Sequence, residues 1–157
     1  MKNWVKLLIS LALPQIAGIS GALFTVTGEG SWYRQINRPS WNPPGWVFGP
    51  VWTLLYILMG IAFYLVWKNN SADRLKKPAM TFWIIQLVLN FFWTLIFFGA
   101  HETGWATLEI IVLWIFILLT ILAFFRINKT AGWLMVPYLL WVSFATALTA
   151  TIWQMNS

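Results

Sequence analysis

Cysteine is absent from the chain and histidine occurs once, at His101. The first absence removes disulfides, thiolate nucleophiles and sulfur-ligated metals, and leaves no trace of a redox compartment. With no histidine inside an apolar run, neither a zinc cluster nor a Ser-His-Asp arrangement has its residues there. Charge is scarce too: 9% of the 157 residues are charged and only four of them are acidic. Soluble domains carry about 25% charged residues, and a chain that is also 60% hydrophobic is too apolar for one soluble core, so lipid is the solvent that fits. Low-complexity segments and clear internal repeats are missing as well.

What is present is a series of long uncharged runs. A bilayer core needs about 20 apolar residues as a helix, and five runs meet that need: 7–26, 45–67, 78–99, 104–125 and 131–153. They lack the period-two alternation of barrel strands and are about twice a barrel strand's length. The expected fold is an all-α membrane protein, a five-transmembrane-helix bundle forming a single domain over 1–157. The first run follows Lys2 and Lys6 and ends near Ser20-Gly21-Ala22, which loosely fits a cleavage site. Its apolar stretch exceeds a signal peptide's core, so it reads as a retained span. Before the second run, Asn42-Pro43-Pro44 reads as a cap and helix start, because proline suits a first turn and bars helical dihedrals in the residue before it.

The net charge of +6 does not point to nucleic acid, since the basic residues sit in short gaps between spans. Lys2, Lys6, Lys68, Arg74, Lys76, Lys77, Arg126 and Lys129 fall on the N-terminal side; Arg34 and Arg38 fall on the other, with Glu29 and Glu102. Positive charge stays inside, so the N-terminus is expected in the cytoplasm of a bacterial cell membrane and the C-terminus outside.

Aromatics are abundant: 18% of the chain, including 13 Trp, more than interfacial belts usually need. The loop 28–44 carries Trp32, Tyr33, Trp41, Arg34 and Arg38. It reads either as an interfacial belt with two solvated arginines or as a lid whose arginines meet an anionic ligand. Trp52 and Tyr56 share a helical face one turn from Pro50, as a proline kink with aromatic packing or as a site. Gln86, Asn90 and Trp93 form a stripe whose amides need partners, from another helix or from a ligand. Pro137, Trp141, Ala145 and Leu148 line another face. Ala145 there leaves room for a flat ligand or, with Thr149, serves close helix packing. Trp105 and Glu109 are four apart. An intramembrane carboxyl is a functional hypothesis, but a helix N-terminus also stabilises one.

Several segments are more specific than hydrophobicity. Gly28-Glu29-Gly30, Trp32-Tyr33, Arg38-Pro39-Ser40-Trp41-Asn42-Pro43-Pro44 and Trp46-Val47-Phe48-Gly49-Pro50-Val51-Trp52 come first. Gln86-Leu87, Asn90, Ile96-Phe97-Phe98-Gly99-Ala100, Gly104-Trp105, Pro137-Tyr138-Leu139, Trp141 and Phe144-Ala145-Thr146 follow in order. Over nearly its whole length the chain resembles the translocator protein/tryptophan-rich sensory protein (TspO) family.

That resemblance implies a five-helix membrane protein, often a homodimer, that binds porphyrins such as protoporphyrin IX in tetrapyrrole handling or stress sensing. It places Asn90, Trp141 and Ala145 beside the ligand, and with the loop and the helical faces read above the candidate ligand-binding set is Trp32, Tyr33, Arg34, Arg38, Trp41, Pro43, Pro44, Trp52, Tyr56, Asn90, Trp93, Trp105, Trp141, Ala145 and Leu148. Trp52 and Trp141 are the residues expected to carry chemistry if the protein instead degrades porphyrin with light and oxygen. Transport of porphyrin or sterol is the third alternative. No cofactor is expected: the usual His and Cys axial ligands of haem iron are missing from the spans, which favours a metal-free porphyrin. The sterol motif of animal relatives needs a Tyr and a basic residue where this chain has Ala150 and Gln154, which weakens the sterol expectation.

Overall fold

A backbone in hydrocarbon has only itself to bond with, so each apolar run closes its own hydrogen-bond ladder. The computed structural model describes Met1–Ser157 and is built from six helices. They are α1 (Asn3–Ala22), α2 (Trp32–Gln35), α3 (Gly45–Trp67), α4 (Asp73–Thr94), α5 (Thr103–Phe125) and α6 (Lys129–Asn156), and α4 runs into a π-helical turn, Leu95–Gly99. All but α2 are long and apolar enough to cross a membrane.

The span 45–67 coincides with α3; the other boundaries shift because charge marks the edge of the hydrocarbon, not the end of the helix. The helix expected over 7–26 begins at Asn3, with Lys6 Nζ lying 5.8 Å from the centre of the Trp67 ring. A long lysine can keep its charge at the interface in this way. That helix stops at Ala22 because the Phe24 and Thr25 N–H groups turn back onto the Gly21 and Ala22 carbonyls. The helix expected from 78 starts one and a half turns earlier, where Asp73 favours the helix N-terminus and Lys76 Nζ donates to the Trp67 and Asn69 carbonyls. The helix expected over 131–153 starts at Lys129, because the Asn128 side chain accepts from Ala131 N at 3.0 Å, an N-cap. The single turn α2 in the loop has no counterpart in the hydropathy reading.

The five spans form a closed ring. In it α1 packs on α3 and α4, α3 on α6, α6 on α5 and α5 on α4. The backbones of α1 and α3 approach closely. Pro14 cannot donate to the Ser10 carbonyl, and that carbonyl faces Gly60, where an added Cβ would lie 2.7 Å from the oxygen. Toward the N-terminal end the ring is filled: Met59, Ala62, Val66, Ala79, Trp83 and Met135 have no exposed surface, and Trp83 stacks on Phe63 at 4.2 Å. Lipid is as apolar as these side chains, so the gain is dispersion from close packing and not exclusion from water.

Candidate functional site

Toward the other end the ring is hollow. A cavity of about 390 Å³ lies among α1, α3, α4 and α6 beneath the loop, within the range of small-molecule sites. Small residues leave the space, with Gly18, Gly49 and Ala145 on the wall. Aromatic rings shape it. Trp52 stacks on Tyr56 at 5.5 Å and meets Trp141 edge-on at 6.4 Å, while Trp93 stacks on Phe97 at 5.1 Å.

Asn90 closes the floor. The Tyr56 hydroxyl donates to Asn90 Oδ1 at 2.9 Å, and Asn90 Nδ2 donates to the Tyr138 hydroxyl at 2.8 Å, linking α3, α4 and α6. The amide thus finds its partners on other helices, and it also lines the cavity. Gln86, one turn below, is fully buried and donates to Met59 Sδ at 3.9 Å. Gly18 matters for the same floor, since a Cβ there would lie 2.5 Å from the Tyr56 ring.

The loop 28–44 lies over this space as a tied cover. Tyr33, on α2, reaches the cavity wall, and its hydroxyl bonds with the Asn42 amide. Asn37 N donates to Asn156 Oδ1 at 2.9 Å, and Asn156 Nδ2 donates to the Asn37 carbonyl at 2.8 Å, which latches the loop to the end of α6. Trp32 lies flat on His101 at 4.3 Å, with His101 held at a φ of 59°. Trp41, half exposed, meets Phe144 edge-on.

Of the residues singled out from the sequence, Tyr33, Trp52, Tyr56, Asn90, Trp93, Trp141, Ala145 and Leu148 line the cavity. Trp32, Trp41, Pro43 and Pro44 belong to the loop without lining it, and the two arginines are engaged within it. Arg34 Nε donates to the Thr27 carbonyl at 3.2 Å, and the Arg38 guanidinium lies 4.7 Å from the centre of the Tyr33 ring. Trp105 is not brought to this space. It is 67% exposed on the outer flank of α5, a helix that contributes nothing to the cavity wall. The sequence reading passed over Gln15, Gly18 and Ala22 of α1 as lining residues, although their spacing puts them on one helical face.

A profile of the TspO/MBR family matches residues 10–154. The chain belongs to the TspO/MBR family. It is 42% identical to the tryptophan-rich protein TspO of Chlorobaculum tepidum, over 99% of this chain and 98% of that one. It is 37% identical to the human translocator protein, over 98% and 91% of the two chains. Identity to the tryptophan-rich sensory protein of Cereibacter sphaeroides is 36%, over 98% and 93%. This TspO-family chain is thus an integral membrane protein with five spans, four of which wall an aromatic cavity under a latched loop.

Proposed function

We propose that the protein is a membrane receptor for a flat, hydrophobic tetrapyrrole such as protoporphyrin IX, which it binds in the cavity beneath the 28–44 loop. The observation that carries this reading is the aromatic wall: Trp52, Trp93, Phe97 and Trp141 stand around a space whose lining is mainly apolar. Stacking and burial supply affinity. Arg34 and Arg38 sit in the loop above, and Arg34 spends only its Nε on the protein, so its terminal amino groups can orient the ligand's propionates. With the eight basic residues inside, the loop side faces outward from the cytoplasm.

Titration with protoporphyrin IX in lipid nanodiscs should quench Trp fluorescence saturably. Removing the Trp141 ring by Trp141→Ala should weaken binding about tenfold, the loss of one stacking contact plus its buried area. Equal affinity in the variant, or equal quenching of an unrelated Trp-rich membrane protein, overturns the reading.

The continuous run Trp141–Trp52–Tyr56 favours one second reading, photo-oxidative breakdown of the bound porphyrin. The excited porphyrin passes its energy to O2, and the singlet oxygen adds both of its atoms across a meso double bond of the macrocycle, whose cleavage gives a ring-opened dicarbonyl with no further oxidant or reductant. Trp52 and Trp141 would hold the ring so that one meso edge meets the oxygen. Illumination with O2 should give one defined tetrapyrrole product. A yield unchanged by Trp52→Phe and Trp141→Phe removes those residues from the chemistry.

A further inference from the structure

The strongest unassigned feature lies outside the ring. The π-helical turn Leu95–Gly99 serves two spaces at once. Its Phe97 and Phe98 face the interior cavity, while Ile96 lines a separate groove of about 480 Å³ on the outer flank of α5. π-Helical turns inside α-helices gather at functional positions. The two spaces share no lining residue.

Three features of the groove are chemically unbalanced. Both carboxyl oxygens of Glu109 are buried and have no hydrogen-bond partner, and Glu109 lies about 9 Å along α5 from its first residue, six residues at the helical rise. Trp105, one turn earlier on the same face, exposes its ring with nothing packed over it in the form of another aromatic or a cation. No basic residue lines the groove, and the chain's one ion pair joins Lys77 and Asp73, so Glu102 at the rim and Glu109 inside are both uncompensated. The remaining wall, Leu108 and Val112 included, is apolar. A buried carboxyl without a partner is costly in hydrocarbon, and ionisable groups at such depth mark ligand or ion sites.

We propose that this groove is a second, lipid-facing binding site for a lipophilic amine. Its ammonium group pairs with the Glu109 carboxylate and lies against the Trp105 ring, and its apolar body runs along Leu108 and Val112. The chemistry selects a cation. The carboxylate supplies charge-assisted hydrogen bonds, the indole face attracts ammonium, and rotation of the Glu109 side chain turns its oxygens from their enclosed position toward the groove it lines. A free amine is the occupant and not an aminophospholipid, because a headgroup phosphate would face Glu102 with no basic residue to receive it. The site stands independently of what occupies the interior cavity.

The test uses the full chain in phosphatidylcholine nanodiscs and dodecylamine carrying a dansyl group at its far end, read by Trp-to-dansyl energy transfer. The wild-type protein should bind the probe saturably, and the same probe ending in a hydroxyl should bind about tenfold more weakly. Glu109→Gln should weaken amine binding about tenfold, erase the preference for amine over alcohol, and leave protoporphyrin quenching intact, which also reports that the variant is folded. Val112→Phe fills the groove while sparing the carboxylate and should weaken both probes. The proposal is overturned if Glu109→Gln binds the amine as tightly as the wild type. It is equally overturned if protoporphyrin IX competes with the probe, which places the amine in the interior, or if phosphatidylethanolamine nanodiscs displace it, which makes the occupant a lipid.

Discussion

Ala79 and Ala145 are both alanines on ring helices, and their surroundings divide the molecule in two. Around Ala79, at the N-terminal end, Trp83 is stacked on Phe63 and Met59 and Val66 are sealed from solvent. Around Ala145 the wall carries glycines and rings that pack against one another along its edge, and the space between them stays open. The two ends share a helix ring and a supply of Trp. They differ in what the small residues meet: at Gly60 the missing side chain lets two backbones touch, whereas at Gly18 it lets the Tyr56 ring stand beside an empty volume. The packed end holds the ring together and leaves the hollow end free to take a ligand.

The comparison can be broken most strongly at Trp83. Trp83→Ala deletes a fully buried ring, and cavities of that size cost about 3–5 kcal/mol. A large fall in the thermal midpoint is expected, and a small one would mean that the packed end is not the stabilising one. Next in size is the border between the halves. Asn90→Leu leaves the Tyr56 and Tyr138 hydroxyls without their shared partner, at a cost of about 1–3 kcal/mol. That variant should lose both stability and porphyrin affinity, because the floor of the cavity belongs to both ends. Smallest is the loop. Asn37→Ala removes the hydrogen bond from Asn37 Nδ2 to the Met155 carbonyl and loosens the latch, an exposed contact worth about 1 kcal/mol or less. Stopped-flow quenching should show faster association and release of protoporphyrin IX at a nearly unchanged thermal midpoint, and unchanged rates would show that the loop does not gate the cavity.

These two ends were unequally legible in the sequence. Five spans follow from run length alone, since nothing but a helix can carry an apolar run of that length through lipid. The ends of α1, α4 and α6 were misplaced because lysines and Asp73 continue a helix into the interface where hydropathy stops. The stripes Trp52–Tyr56, Asn90–Trp93 and Trp141–Ala145 were readable as helical faces, yet spacing cannot say which face meets an empty volume. Trp83 and Trp141 look alike in sequence; only the ring order separates the packed one from the one on the cavity wall. Trp105 shows the same gap from the other side, because its helix packs behind α4 and α6 and turns it to the lipid. The turn α2 was missed because four residues carry no periodic signal.

The central claim is that space at Ala145 serves a ligand, while equal bulk at Ala79 has nowhere to go. The most direct measurement sets Ala145→Phe beside Ala79→Phe, with thermal melting and protoporphyrin IX titration on both. The account predicts that Ala145→Phe melts near the wild type and no longer shows saturable quenching, whereas Ala79→Phe, overpacked by about 1–3 kcal/mol or more, melts lower. An Ala145→Phe protein that still binds protoporphyrin IX with wild-type affinity, or that is as destabilised as Ala79→Phe, would contradict it.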